Sequence, residues 1–169
     1  MIYHASINAA DPAHVAQVLA EILHAHVIPA PVPPFPRGSQ FVIVGDAYGT
    51  MIEVTPHGTL LDPAAPGGTR RDPAASSLGG FHLLVGSTLS AAKIETIGRR
   101  EGWPVHYIET GLFAVVKIWL EGCFPLEVLT PDQMPSYVDA LGAYGLEKLD
   151  EALRRLETMI AEGQGRDAG

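Results

Sequence analysis

Two short segments decide how this chain reads: IEVTP at residues 52–56 and LEVLTP at residues 126–131. Each sets a glutamate, Glu53 or Glu127, inside an apolar and β-branched run that closes on Thr-Pro. Runs of this composition with proline at the boundary read as strands. Upstream of each glutamate a histidine sits in another strand-like run: His4 in IYHASIN (2–8) and His82 in FHLLVG (81–86). The histidines lie 78 residues apart and the glutamates 74 apart, so a His–Glu pair recurs at nearly constant offset. Such recurrence points to an internal duplication.

The segments between these landmarks repeat the same order. In the first half, Asp11-Pro12 offers an N-cap with proline in the first turn. Val15, Val18, Leu19, Ile22 and Leu23 then recur at helical spacing, predicting a helix over 13–26. IPAPVPPFPRG (28–38) holds five prolines and reads as an irregular edge strand or a loop. Strands over 41–44 and 50–55 follow, separated by the turn sequence GDAYG (45–49). In the second half, Ser90 caps a helix running to about Glu101, and strands are expected over 103–108, 112–120 and 124–129, with EGCFP (121–125) as a tight connection. The intervening residues 57–80, HGTLLDPAAPGGTRRDPAASSLGG, carry few regular signals and read as a linker. The expected organisation is a first module over 1–56, a linker over 57–80, a second module over 81–131 and a helical extension over 132–169. A short helix is expected to begin within 131–141. Beyond it Leu146, Leu149, Leu153, Leu156 and Ile160 form an amphipathic seam over 146–162, suited equally to an intrachain clamp or a homodimer.

Composition narrows the function class. The chain has 169 residues, 47% hydrophobic, with 19 acidic against 11 basic side chains and a formal charge of −8. Nothing in it supplies the basic stripe that a nucleic-acid partner needs. No apolar run is long enough for a membrane span. The N-terminal residues lack the charged and apolar regions of a secretory leader, and the single cysteine, Cys123, cannot form an internal disulfide; both lead to the expectation of a cytoplasmic protein. Cys123 has no arranged base beside it that would make it a nucleophile.

Alternate side chains of a strand share a face. If the apolar sets lie under the helices, then His4, Glu53, His82 and Glu127 all project from the opposite face. Two neutral imidazoles and two carboxylates suit one borderline divalent ion such as Ni, Co, Zn, Mn or Fe(II). Such an ion would offset the repulsion between paired carboxylates, act as a Lewis acid, and leave a weakly held carboxylate free to serve as base. The plainer reading is that this face is solvated and the glutamates are ordinary outward-facing strand residues.

The order strand–helix–three strands, taken twice, with a first-strand histidine and a last-strand glutamate in each half, resembles the vicinal oxygen chelate superfamily. That group includes glyoxalase I, extradiol dioxygenases, methylmalonyl-CoA epimerase, and the fosfomycin- and bleomycin-resistance proteins. The resemblance covers residues 1–131. It implies an α+β fold of two βαβββ modules, forming a pseudo-symmetric eight-stranded pair of half-barrels around a metal-holding cup. It further implies His4, Glu53, His82 and Glu127 as metal ligands, with Glu127 and Glu53 as the groups that move a proton. The full two-His, two-Glu set looks most like bacterial-type glyoxalase I and the epimerase, hence lyase or isomerase chemistry through an enediolate or enolate of a small oxygenated substrate. Two alternatives stay open: a metal-free resistance-type protein that sequesters a ligand, and an Fe(II) extradiol-type dioxygenase using His4, His82 and Glu127. GCFP (122–125) stands where many members carry an Asp-Pro-Asp-Gly turn, and glutathione-binding signatures are not evident.

Further candidates flank these ligands. Lys117 alternates with Val115 and Trp119; if that face lines the cup, Lys117 would bind a substrate carboxylate or phosphate, with Trp119 as a wall. Of His106 and Tyr107, alternation lets one face the cup. Arg37 could anchor an anion at the mouth. Arg70 and Arg71 read as solvated, His57 as a supporting group at the end of the ligand strand, and His14, His24 and His26 as surface residues of the first helix.

Overall fold

The computed structural model describes residues 3–32, 35–64, 69–78, 80–142, 145, 151, 153–155, 158 and 159. The first module begins with β1 (His4–Ala9) and α1 (Pro12–Leu23), followed by β2 (His26–Pro29), β3 (Gln40–Ile43) and β4 (Met51–Pro56). Asp11 caps α1 by accepting from His14 N at 3.1 Å, with Pro12 in the first turn as its composition requires. The helix ends earlier than its apolar periodicity suggests. His24 turns into the left-handed region at φ +52° and its N–H closes on Ala20 O, so His24 is the C-cap and His26 opens β2. The proline run yields an edge strand that stops at Pro29, where the first ring would remove ladder hydrogen bonds, and residues 30–32 and 35–39 are irregular.

The linker holds more structure than its sequence signals. β5 (Thr59–Leu61) and β6 (Thr69–Arg71) pair antiparallel as a hairpin. This hairpin is fastened to the first module by side chains rather than by a ladder. Asn8 Nδ2 donates to Thr59 O at 3.0 Å, His57 Nε2 lies 3.0 Å from Ala75 O, and Arg71 donates to Pro56 O at 3.1 Å. Arg71 is therefore a fastening and not merely solvated; Arg70 pairs with Asp62 at 3.0 Å.

The second module repeats the first with β7 (Leu83–Gly86), α2 (Ala91–Glu101), β8 (Val105–Glu109), β9 (Ala114–Leu120) and β10 (Phe124–Leu129), and α3 (Met134–Leu141) follows. Ser90 caps α2 as expected. The strand expected from Phe81 starts at Leu83, so His82 stands just ahead of β7 rather than within it. The two four-stranded sheets have the same order, β1-β4-β3-β2 and β7-β10-β9-β8. In each, the first strand runs parallel to the last and the other pairs are antiparallel. Even the registers correspond: Ser6 opposes Glu53 as Leu84 opposes Glu127, and Phe41 opposes Glu53 as Lys117 opposes Glu127. The fold is thus α+β, with eight strands in two like modules plus the linker hairpin. Of residues 146–162, those described (151, 153–155, 158 and 159) are helical; Leu146, Leu149, Leu156 and Ile160 lie outside the described residues.

One apolar core serves both modules. Val15, Leu19 and Ile22 of α1, Ile94 and Ile97 of α2, and the helix-facing sets Ile7, Val42, Ile52, Val54, Val116, Ile118, Leu126 and Val128 form a single buried cluster. Gly98 lets α2 lie close on β8, since a Cβ there would sit 2.1 Å from Val105 Cγ2. Polar contacts bridge the helices across the module boundary. Arg100 reaches Glu21 at 2.7 Å, His14 Nε2 lies 2.7 Å from Glu101, and the Arg100 guanidinium holds both carboxyls below the usual carboxylate range.

Glu121, in the β9–β10 turn, ties the second module to the start of α1. Its carboxylate accepts from Ala10 N at 2.6 Å and Asp11 N at 2.8 Å, serving donors that no helical carbonyl can reach. Glu121→Ala is expected to cost about 0.5–2 kcal/mol, the range for losing a helix cap. The urea midpoint would fall with the slope unchanged; an unchanged midpoint would show that water replaces the carboxylate without loss.

Candidate functional site

The alternation of burial along the strands places the expected residues. In β1, Ile7 and Ala9 are buried while His4, Ser6 and Asn8 take the opposite side. In β4, Ile52 and Val54 enter the core and Glu53 lies on the other face; in β10, Leu126 and Val128 enter it and Glu127 does not. Register then settles which residue of the His106–Tyr107 pair faces the cup. His106, Lys117 and Glu127 are mutual partners across β8, β9 and β10, so His106 shares their face and Tyr107 takes the other. Trp119, two residues from Lys117, shares that strand face; His106, Lys117 and Trp119 line none of the described cavities.

Around Glu127 the structure brings together three side chains. His82 Nε2 lies 3.6 Å from Glu127 Oε2, and Lys117 Nζ lies 2.9 Å from Glu127 Oε1. Lys117 is therefore engaged by its cross-strand neighbour. Glu127 retains 18% of its side-chain exposure and His82 retains 55%, so the histidine is the open member of the pair.

Around Glu53 the partner is different. Ser6 Oγ donates to Glu53 Oε2, and among the described residues Oε1 receives no hydrogen bond. Glu53 lines a half-open cavity of about 500 Å³ whose walls include Phe35, Leu61, Leu78, Phe81 and Phe124, with Ser6, Asn8, Thr55 and His57 as its polar points. The linker hairpin forms part of its roof. His4 and His82 border a second cavity, of about 570 Å³, which runs between β1 and β7 and reaches Tyr137 of α3. Ser6 and Phe81 border both cavities, so the two adjoin.

The four expected ligands therefore form a string along the seam between the sheets: Glu53, bonded to Ser6, then His4 and His82 on one cavity, then Glu127 beside His82. Two donors about 2.1 Å from a common ion are about 3.4 Å apart at a tetrahedral angle. The His82–Glu127 separation of 3.6 Å is close to this value. Among the described residues, however, no three His, Cys, Asp or Glu side chains converge where an ion could sit. The donor set fits a divalent ion in its chemistry and in its second-module pair, and the four residues do not close around one point. Arg37 is exposed and lines none of the described cavities, although its neighbours Phe35 and Pro36 line the first.

Sequence reasoning missed several residues of this site. Ser6 was within reach of it, standing two residues after His4 on the same strand face. Phe35, inside the proline run, and the hairpin roof carry no local signal of their position.

The repeated order β1-β4-β3-β2, each sheet with a parallel first and last strand closed by a helix, decides the architecture. It is the paired βαβββ fold that the resemblance to the vicinal oxygen chelate superfamily implies. Solved structures with a similar chain path include lactoylglutathione lyase from Agrobacterium tumefaciens, at 16% identity over 78% of this chain and 93% of that one, with a TM-score of 0.49. The fosfomycin resistance protein FosX from Listeria monocytogenes follows at 11% identity, 77% and 90% coverage and a TM-score of 0.48. A possible glyoxalase from Bacillus cereus stands at 14% identity, 76% and 97% coverage and a TM-score of 0.45. Similarity at this level says nothing of activity. No protein-family model and no curated protein matches the chain. Among the described residues, no helix is long and apolar enough to cross a membrane.

Proposed function

We propose that this protein is a glyoxalase-like enzyme that transfers a proton within a small oxygenated substrate, with lyase or isomerase chemistry and a divalent ion as cofactor. The observation that carries the proposal is Glu53: a carboxylate oriented by Ser6 through one oxygen, with its other oxygen free to act, on the wall of a cavity of about 500 Å³. Pockets of this size take small organic ligands. Its proposed ligands are His4, Glu53, His82 and Glu127, of which His82 and Glu127 already stand at ligand-to-ligand distance while His4 and Glu53 would have to close on them; when bound, the ion would supply Lewis-acid stabilisation of charge developing on a substrate oxygen.

The chain's own residues account for the remaining steps. Glu53 Oε1 takes the proton from the carbon beside a substrate carbonyl, and returns it to the same or the neighbouring carbon. Ser6 holds the carboxylate so that the transfer needs little reorganisation. Lys117 holds Glu127 in place beside His82. Phe35, Phe81 and Phe124 exclude water from the substrate's apolar side. Association with a second copy of the chain belongs to the same proposal and is read by sedimentation equilibrium.

A second reading, ligand sequestration without a metal, is favoured by one contact. Lys117 already neutralises Glu127 at 2.9 Å, so this carboxylate does not require an ion for its charge to be balanced. Elemental analysis of untagged protein, after loading with Mn, Fe(II), Co, Ni or Zn and removal of excess, separates the two. Near-stoichiometric ion in the wild type, lost in His82→Ala and in Glu127→Ala, is expected. A wild type that takes up none of the five would sink the metal-enzyme reading and leave sequestration.

A further inference from the structure

The cavity beside Glu53 carries information about the kind of molecule it accepts. No lysine or arginine lines it among the described residues; its one charged group is the Glu53 carboxylate. Arg37, beside the lining residue Pro36, is exposed but lines no part of the cavity, and two other cations are committed elsewhere. Arg71 spends its guanidinium on Pro56 O and Thr59 Oγ1, and Lys117 is held by Glu127. An anionic group on the part of the substrate away from the reacting oxygens would give up its hydration in this space with no lysine or arginine of the lining in return.

The apolar lining is equally specific. Phe81 and Phe124 meet as a tilted pair with centroids 5.8 Å apart, and Phe35 is braced edge-on by Phe41 at 4.9 Å, so these aromatic walls are buttressed. Leu61, Leu78 and Phe81 line the cavity yet remain 86%, 64% and 52% exposed. Exposed apolar side chains gathered around a cavity mark a surface that an apolar ligand would cover. Ser6, Asn8 and Thr55 line the strand side; Ser6 and Thr55 already donate to Glu53 and Asn8, and Asn8 to Thr59 O, which leaves their hydroxyl oxygens as acceptors suited to a neutral hydroxyl.

From this we infer that the site takes an uncharged substrate with an aromatic or alicyclic body, and rejects anionic conjugates such as carboxylated, phosphorylated, glutathione-linked or coenzyme A-linked molecules. The inference rests on the reading of the Glu53 cavity as the substrate site. It narrows the oxygenated substrates under consideration to those whose non-reacting part is neutral and largely apolar.

The test uses an isosteric pair that differs in charge, naphthalene-2-carboxamide and naphthalene-2-carboxylate. Both are titrated by fluorescence into the full chain after dialysis against chelator, so that no bound ion draws the carboxylate. The carboxamide is expected to bind at least about 10-fold more tightly. Leu78→Lys, a change at an exposed position on the cavity's edge, is expected to narrow that ratio several-fold by placing an ammonium at the site. Equal or tighter binding of the carboxylate to the wild type would overturn the inference, as would failure of both probes to bind. A ratio unchanged in Leu78→Lys would place the ligand elsewhere and overturn it too. Metal content, measured on the same preparation before dialysis, reports on the enzyme proposal separately: a metal-free protein that prefers the carboxamide upholds this inference while failing that one.

Discussion

Glu53→Gln is expected to lower the rate of proton exchange at the substrate carbon by about 10²–10⁴-fold, the range for loss of a positioned general base. The measurement is hydrogen–deuterium exchange at the carbon next to the carbonyl of 2-hydroxyacetophenone, an uncharged aromatic hydroxyketone, followed by NMR in D₂O with the metal-loaded protein. The amide nearly conserves shape and keeps an oxygen that can accept from Ser6 Oγ, so folding is expected to be unaffected. What it removes is the capacity of the free oxygen to take a proton. Ser6→Ala should show a smaller loss, because it frees the carboxylate to turn without changing its chemistry. A Glu53→Gln protein that exchanges as fast as wild type would move the base elsewhere, with Glu127 the next candidate.

The second large effect concerns stability. Leu126→Ala is expected to destabilise the protein by about 2–5 kcal/mol, through the loss of buried methyl groups and the cavity left behind. Leu126 is fully buried on β10, a strand flanked by β7 and β9, and its side chain belongs to the core cluster shared by both helices. Against the 5–15 kcal/mol typical of a native domain this is a large share. Thermal unfolding should report it as a fall of roughly 4–20 °C. Because the core is continuous across the modules, the transition is expected to stay single in the variant. Two resolved transitions would show that each module folds on its own core.

The duplicated order of elements was legible because it is written in local signals. Apolar alternation, the Asp11-Pro12 and Ser90 caps, and the paired segments IEVTP and LEVLTP mark strands and helices within a few residues of where they form. Boundaries shifted where backbone geometry outweighed periodicity. The apolar pattern of α1 extends toward His26, yet the chain turns at His24, whose left-handed conformation ends the helix. The linker hairpin was not legible. Its strands are three residues each, too short for a periodic signal, and it is fastened by Asn8, His57 and Arg71 from separate parts of the sequence.

The candidate site divides along the same line. Period-two alternation is a property of any extended strand, so the placement of His4, Glu53 and Glu127 on the face opposite the core followed from residue order alone. Which groups meet on that face depends on register between strands, and register arises from the packing of whole sheets. The pairing of Lys117 with Glu127, the choice of His106 over Tyr107, and the clasp of Ser6 on Glu53 were decided there. So was the string of ligands along the seam between β1 and β7. The sequence sets which residue types each strand offers; the distance between strands from separate modules is set by a core to which both contribute.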